Sequence, residues 1–239
     1  LTDPVETGAV TLCLPQDTQA EAFDYPESFL GKKVWHLDRR APHPRALKEA
    51  VSILSSAQKP LIVAGGGVHY SQAAETLRGF AETFGIPVSE TQAGKSAMSW
   101  KDPMSVGAVG VTGTSAANLL AKAADVVLVV GSRLQDFTTA SKQVFASEVK
   151  LLHLNVSKFD GLKMDSIMLQ ADAKSGLESL SEELRKAKFQ TSAEYRGCVS
   201  QLQSEWNAEV DRLYNLTSEE GNVQTSIVGT LNEFMAPED

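Results

Sequence analysis

The sequence predicts an α/β fold: a doubly wound, six-stranded parallel sheet with helices on both faces. Three observations predict it. Short apolar runs such as DVVLVVG and VKLLHLNV show no polar alternation, so both faces of those strands need cover. Segments with apolar residues at helical spacing alternate with those runs along the chain. Three glycine turns, at Gly65 to Gly67, Gly110 to Gly113 and Gly131, fall where strand candidates end.

The elements follow in order. GAVTLCL, residues 8–14, reads as a buried strand with no helix before it. Together with the first residue, Leu1, it suggests a piece of something longer. Residues 17–44 mix proline, charge and aromatics without period, which is a long connection for a compact domain. Leu47, Ala50, Val51, Leu54 and Ala57 share one helical face, and Pro60 is expected to stop that helix. LIVAGGG, from Leu61, is the first strand of the alternation. Ser71 is the expected N-cap of a helix with Ala74, Leu77, Phe80, Ala81 and Phe84 inward, ended by Gly85. IPVSET and the short SVGAVG are the second and third strands. Ser115 is the expected N-cap of SAANLLAKA. DVVLVVG, VKLLHLNV and SIMLQ complete six strands, and a helix with Leu177, Leu180 and Leu184 inward follows. The result is a Rossmann-like sheet of the NAD/FAD-binding type, in which ligands sit at the carboxyl ends of the strands.

Tyr195, Val199, Leu202, Trp206, Val210 and Leu213 then step by three or four along a long amphipathic helix. After the polar NLTSEEGN, QTSIVGTLNEF begins another helix. This tail reads as the entrance to a further domain; a helix folding back on the first domain is the other reading.

Composition narrows the function. The chain has 239 residues, 42% hydrophobic and 22% charged, an ordinary globular balance. A net charge of −8 without a basic stripe argues against nucleic acid as a partner. No apolar run reaches the length of a membrane span, so no membrane partner is expected. Cys13 and Cys198 stand far apart, and His36, His43, His69 and His153 are scattered. Neither a disulfide framework nor a metal site is expected, and a reducing cytoplasm suits the chain.

Several motifs fail on inspection. Gly94-Lys95-Ser96 resembles the end of a P-loop, but Ser89 stands where its first glycine belongs and MSWKDP follows instead of a helix. In GGGVHY, Tyr70 occupies the last glycine position of a dinucleotide fingerprint, although Glu90 could imitate the ribose-binding acid. Gly113-Thr114-Ser115 lacks the closing glycine of a nucleophile elbow. Arg133, beyond the strongest strand, could pair with a phosphate or with Asp136 in a surface turn; both readings stay open. His69 reads as a surface residue near a glycine turn, and His153 as a hydrogen-bonded core residue.

Taken in order, TGAVTLCLPQD, KPLIVAGGGV, FGIPVSETQAGKSAM, GVTGTSAANLLAKAADVVLVVGSRLQDF, VKLLHLNVS, LQADAK and QTSIVGTLNEF resemble the thiamine-diphosphate-dependent decarboxylase and acetolactate synthase family. The resemblance covers essentially the whole chain. It implies that residues 1–44 are the end of an upstream pyrimidine-binding domain and a linker. Residues 45–190 would be the central domain, and 191–239 a linker helix and the start of a pyrophosphate-binding domain. ETQAGKSA and GAVGVTGTSAAN are most similar to members that open a cyclic diketone in inositol catabolism, as carbon–carbon bond hydrolases. In such enzymes a glutamate of the first domain activates the thiazolium of thiamine diphosphate, and a GDG…NN motif of the third holds magnesium and the diphosphate. This chain contains neither GDG nor NN. The resemblance therefore implies a scaffold with no catalytic residue of its own, joined to flanking domains in a homo-oligomer.

In acetolactate synthases the central domain also cradles a flavin dinucleotide. By resemblance the matching positions are Gly65, Gly66, Gly67, Gly113, Thr114, Gly131, Arg133, Asn155 and Asp172. Thr112 departs from the histidine that usually precedes the Gly-Thr pair, which weighs against FAD. A vestigial or weak groove for FAD or ADP is the expectation. The alternative is a free-standing module that binds FAD, NAD or ADP.

Overall fold

The computed structural model of the chain describes residues 1–218, 221 and 223–236. Its strands are β1 (Pro60–Ala64), β2 (Val88–Glu90), β3 (Ser105–Ala108), β4 (Val126–Val130), β5 (Lys150–Asn155) and β6 (Ile167–Gln170). They form one sheet in the order β3-β2-β1-β4-β5-β6, with every neighbouring pair parallel. Helices α1 (Gln16–Gln19) and α2 (Glu27–Leu30) are single turns in the opening segment, and α3 (Pro44–Ser56) leads into β1. Helices α4 (Gly67–Tyr70) and α5 (Ala74–Phe84) join β1 to β2, and α6 (Ser115–Ala123) joins β3 to β4. Short helices α7 (Asp136–Thr139) and α8 (Lys158–Leu162) lie in the connections to β5 and β6. Helices α9 (Ala173–Lys186), α10 (Ala193–Tyr214) and α11 (Gln224–Phe234) follow.

Alternation along each strand feeds two cores. Ile62, Ala64, Leu128, Val130, Leu152 and Leu154 point to one face, against Leu54 of α3, Leu77, Phe80 and Phe84 of α5, and Leu177, Leu180 and Leu184 of α9. Leu61, Val63, Val127 and Val129 point to the other, against Ala117, Leu120 and Ala121 of α6 and Tyr195 and Val199 of α10. Every residue of β1 and β4 is buried, which is why their sequences carry no polar alternation. Each large side chain buried in this way contributes about 1.5–3 kcal/mol.

The structure corrects four local expectations. Residues 8–14 form no strand and are exposed, because no other strand pairs with them to satisfy their backbone. Ser71 does not cap α5, whose N-cap is Ala73; its hydroxyl instead donates to Asp172 Oδ1 at 2.7 Å and accepts from the Ala173 N–H, both across the fold. The cap of α6 is Thr114, one residue before Ser115, with Oγ1 accepting from the Ala117 N–H. Pro60 does not stop α3, which already ends at Ser56 with Ala57 as its C-cap. It opens β1, a strand position that tolerates its missing N–H. Gly85 does end α5, in the left-handed region at φ 68°.

Helix α10 begins by folding back onto the sheet. The Tyr195 hydroxyl donates to the Pro60 carbonyl at 2.9 Å, and Gln203 Nε2 donates to the Ser105 carbonyl at 2.6 Å. Farther along, Leu202, Trp206, Val210 and Leu213 are half-buried, and α11 packs against this end, with Gly229 over Tyr214. The polar stretch 215–222 includes residues 219, 220 and 222, which lie outside the described residues. Among the described residues no helix is long and apolar enough to cross a membrane.

Candidate functional site

The strand order reverses between β1 and β4, so the chain leaves these neighbours toward opposite sides of the sheet. A crevice opens beyond their carboxyl ends. It holds a cavity of about 760 Å³. Six of the nine positions named from the sequence line it: Gly66, Gly67, Gly131, Arg133, Asn155 and Asp172. Gly65 lies just behind, and Gly113 and Thr114 do not line it.

The glycines have structural reasons of their own. A Cβ on Gly65 would sit 2.4 Å from the Gly131 carbonyl oxygen, and one on Gly67 would sit 2.6 Å from Gly131 Cα. Gly131 itself has φ 59°. The two turns are thus locked backbone against backbone, with Gly67 N–H donating to the Gly131 carbonyl at 2.8 Å. The N–H groups of Gly65, Gly67, Val68, His69 and Tyr70 all donate to backbone carbonyls. Five donors of this turn are therefore taken by backbone carbonyls, where a phosphate-binding turn directs its donors at its ligand. Gly94 likewise packs on the end of β1, where a Cβ would lie 2.1 Å from the Ala64 carbonyl oxygen.

The Gly110–Gly113 turn is closed by Asn118. Its Oδ1 accepts from the Gly110 N–H and its Nδ2 donates to the Gly110 carbonyl, each at 2.9 Å. Thr114 caps α6 and also donates from Oγ1 to the Val106 carbonyl at 2.7 Å.

Asp172 is a buried hub. Its Oδ2 accepts from the Lys174 and Ser175 N–H groups, capping α9, while Oδ1 accepts from Ser71 Oγ and from Arg39 Nη1 at 3.0 Å. Asn155 Nδ2 donates to the Ser132 carbonyl at 3.0 Å, and its Oδ1 accepts from the Ser157 N–H. His153 shares that carbonyl through Nε2, at 2.6 Å, while its buried Nδ1 has no hydrogen-bond partner among the described residues. Burial holds the imidazole below the usual histidine range, against the opposing effect of its bond to the Ser132 carbonyl. A carbonyl only accepts, so Nε2 carries the proton.

Arg133 differs from these. It is exposed, lines the cavity and forms no ion pair among the described residues. The alternative Arg133–Asp136 pair is not formed; Asp136 Oδ2 accepts from Ser141 Oγ instead. Exposed Tyr70 and Phe137 stand on the same cavity wall system. Glu90 does not line the cavity, and its Oε1 accepts from the Met98 N–H at 2.8 Å. His69 is exposed, with Nε2 on the Lys95 carbonyl. Leu37, Asp38 and Arg39 also line the cavity and were not anticipated, because nothing in an aperiodic linker marks where it docks.

No group of three or more His, Cys, Asp or Glu side chains could hold a metal ion among the described residues. Asp3, Glu6, Asp38, Asp160 and Asp172 line the cavity without forming such a group, and Asp172 is already bound by four donors. The residues present therefore do not fit a magnesium-bound diphosphate of thiamine.

Residues 47–180 match the family model described as the thiamine pyrophosphate enzyme, central domain. The chain is 44% identical over 230 residues to the 3D-(3,5/4)-trihydroxycyclohexane-1,2-dione hydrolase of Clostridium tetani. That similarity covers 96% of this chain and 35% of the relative. It is 47% identical over 233 residues to the protein of the same name from Geobacillus thermodenitrificans, covering 98% of this chain and 36% of the relative. The corresponding Bacillus anthracis protein is 45% identical over 234 residues. The chain thus spans about a third of the length of the curated relatives it matches.

Proposed function

The chain belongs to the thiamine pyrophosphate enzymes through their central domain, and from that footing we propose that it is the central scaffold of a thiamine-diphosphate-dependent hydrolase. The substrate in this reading is a trihydroxycyclohexane-1,2-dione, whose ring carbon–carbon bond is cleaved in inositol catabolism. The observation that carries the reading is similarity at 44–47% identity along nearly the whole chain to proteins bearing that name. Thiamine diphosphate would supply the carbanion and electron sink. Magnesium, the residues that touch the reacting ring, a cytoplasmic location and a homo-oligomer belong to the same proposal.

This chain's own part is to hold flanking domains in register. The absorbed glycine donors and the four-fold use of Asp172 support a scaffold with a weak groove. The test is turnover of 3D-(3,5/4)-trihydroxycyclohexane-1,2-dione by the intact natural protein. Activity that depends on added thiamine diphosphate and magnesium is expected. No turnover with both present would overturn the proposal.

A second reading, a nucleotide-binding module, is favoured by one observation: Arg133 lines a cavity at the switch point and forms no ion pair among the described residues. Calorimetry with FAD, NAD, ADP and coenzyme A tests it, and heat with none of them would remove it.

A further inference from the structure

We propose that residues 37–40 form a strap across the switch-point groove, latched by the Arg39–Asp172 ion pair, that opens when an anion in the groove draws Arg39 away from Asp172. The anion-driven part rests on reading the groove as one that accepts an anionic ligand; the latch itself does not.

Leu37, Asp38 and Arg39 line the groove and belong to neither helix nor strand. Residues 31–42 make two hydrogen bonds beyond their own segment among the described residues. Arg39 Nη1 donates to Asp172 Oδ1 at 3.0 Å, and the Arg40 carbonyl accepts from the Asp172 N–H at 2.9 Å. Both land on one residue, so among the described residues the strap's hydrogen bonds to the rest of the fold converge on a single point.

That point is built to release. When Arg39 leaves, the Asp172 carboxylate still accepts from Ser71 Oγ and from the Lys174 and Ser175 N–H groups. No bare buried charge results, which is the usual obstacle to breaking a buried ion pair. The Arg39 side chain is 33% exposed, so water and salt reach the pair. Arg133 lines the same groove, and its guanidinium forms no ion pair among the described residues. An anion beside Arg133 therefore competes with Asp172 for Arg39, on a lining that also carries the carboxylates of Asp3, Glu6, Asp38 and Asp160.

The Asp172 N–H reports on the strap directly, because its partner is the Arg40 carbonyl. The Gly176 N–H, donating to the Asp172 carbonyl within the same helix start, is the internal control for general loosening. Hydrogen exchange at both amides is measured in the intact protein, in wild type and in Arg39→Ala. Exchange at Asp172 is expected to rise roughly three- to tenfold in the variant, with Gly176 unchanged. Raising salt should speed wild type toward the variant and leave the variant still. Inorganic pyrophosphate, at constant ionic strength, should speed the Asp172 amide in wild type only. Unchanged Asp172 exchange in both Arg39→Ala and high salt overturns the latch. Pyrophosphate that binds by calorimetry without moving the Asp172 amide overturns opening by an anion. Absence of pyrophosphate binding overturns the groove reading and its anion response, while the variant and salt results still decide the latch.

Discussion

Replacing Gly131 with alanine should damage the molecule far more than its size suggests. The new Cβ would lie 2.6 Å from Gly67 Cα and 2.8 Å from Gly67 C, both backbone atoms that cannot rotate away. Ordinary carbon contacts need roughly 3.5–4.0 Å, so the two turns must part by about 1 Å. Overpacking of this kind costs about 1–3 kcal/mol. Holding a non-glycine residue at φ 59° adds about 1 kcal/mol. Straining the Gly67 N–H bond to the Gly131 carbonyl adds about 1 kcal/mol. Together these give roughly 3–5 kcal/mol, which for a domain of this size lowers the melting temperature by about 6–20 °C. Gly79→Ala is the matched control. It sits inside α5, and a Cβ there meets nothing within 4 Å. That change should stabilise by about 0.5–1 kcal/mol, since glycine in a helix interior is unfavourable. Thermal melts followed by circular dichroism, with urea titrations, measure both. A Gly131→Ala protein that melts within about 2 °C of wild type would refute the interlocked turns.

Other outcomes follow from the same contacts. Because burial lowers the His153 pKa in the folded state, the unfolded chain binds the extra proton first. Stability contributed by neutral His153 is therefore complete above pH ~6.5 and is lost as pH falls below it. Urea midpoints against pH should show that slope, and His153→Gln should flatten it. Tyr195→Phe removes the donor to the Pro60 carbonyl and should cost about 1–2 kcal/mol by urea titration. Asn118→Ala opens the clasp on Gly110 and should cost about 2–3 kcal/mol, without touching the groove. Arg133→Ala should change stability by less than about 0.5 kcal/mol, as an exposed side chain without an ion pair, yet abolish any heat of pyrophosphate binding.

Much of the fold was legible because it rests on local pattern. The unalternating VVLVV of β4 required two covered faces, and the Leu177, Leu180, Leu184 spacing required a helix with one. Capping was less legible. Ser71, Thr114 and Ser115 are all chemically fit to cap, and spacing alone does not say which hydroxyl reaches a free N–H. Ser71 was claimed by a residue 101 positions away. The GAVTLCL segment carries strand chemistry, but a strand is a property of a pair, and the second member is missing from this sheet.

The candidate site divides in the same way. Glycines were visible as glycines, and their positions after strands were right. Their reason was not visible, since whether a glycine admits a ligand or another backbone depends on what lies opposite. At Gly65, Gly67 and Gly131 it is backbone. Asp172, named only through the resemblance, is a four-donor hub whose partners come from three separate stretches of chain: Arg39, Ser71, and the adjacent Lys174 and Ser175.

By itself the sequence determined the six strands of the parallel sheet and the long helices that cover it, because hydrophobic period and burial on two faces are written into neighbouring residues. Only the tertiary structure decided which polar groups remain free. That balance is set by long-range partners: among the described residues Arg133 in the groove forms no ion pair, while Arg39 on the same lining pairs with Asp172.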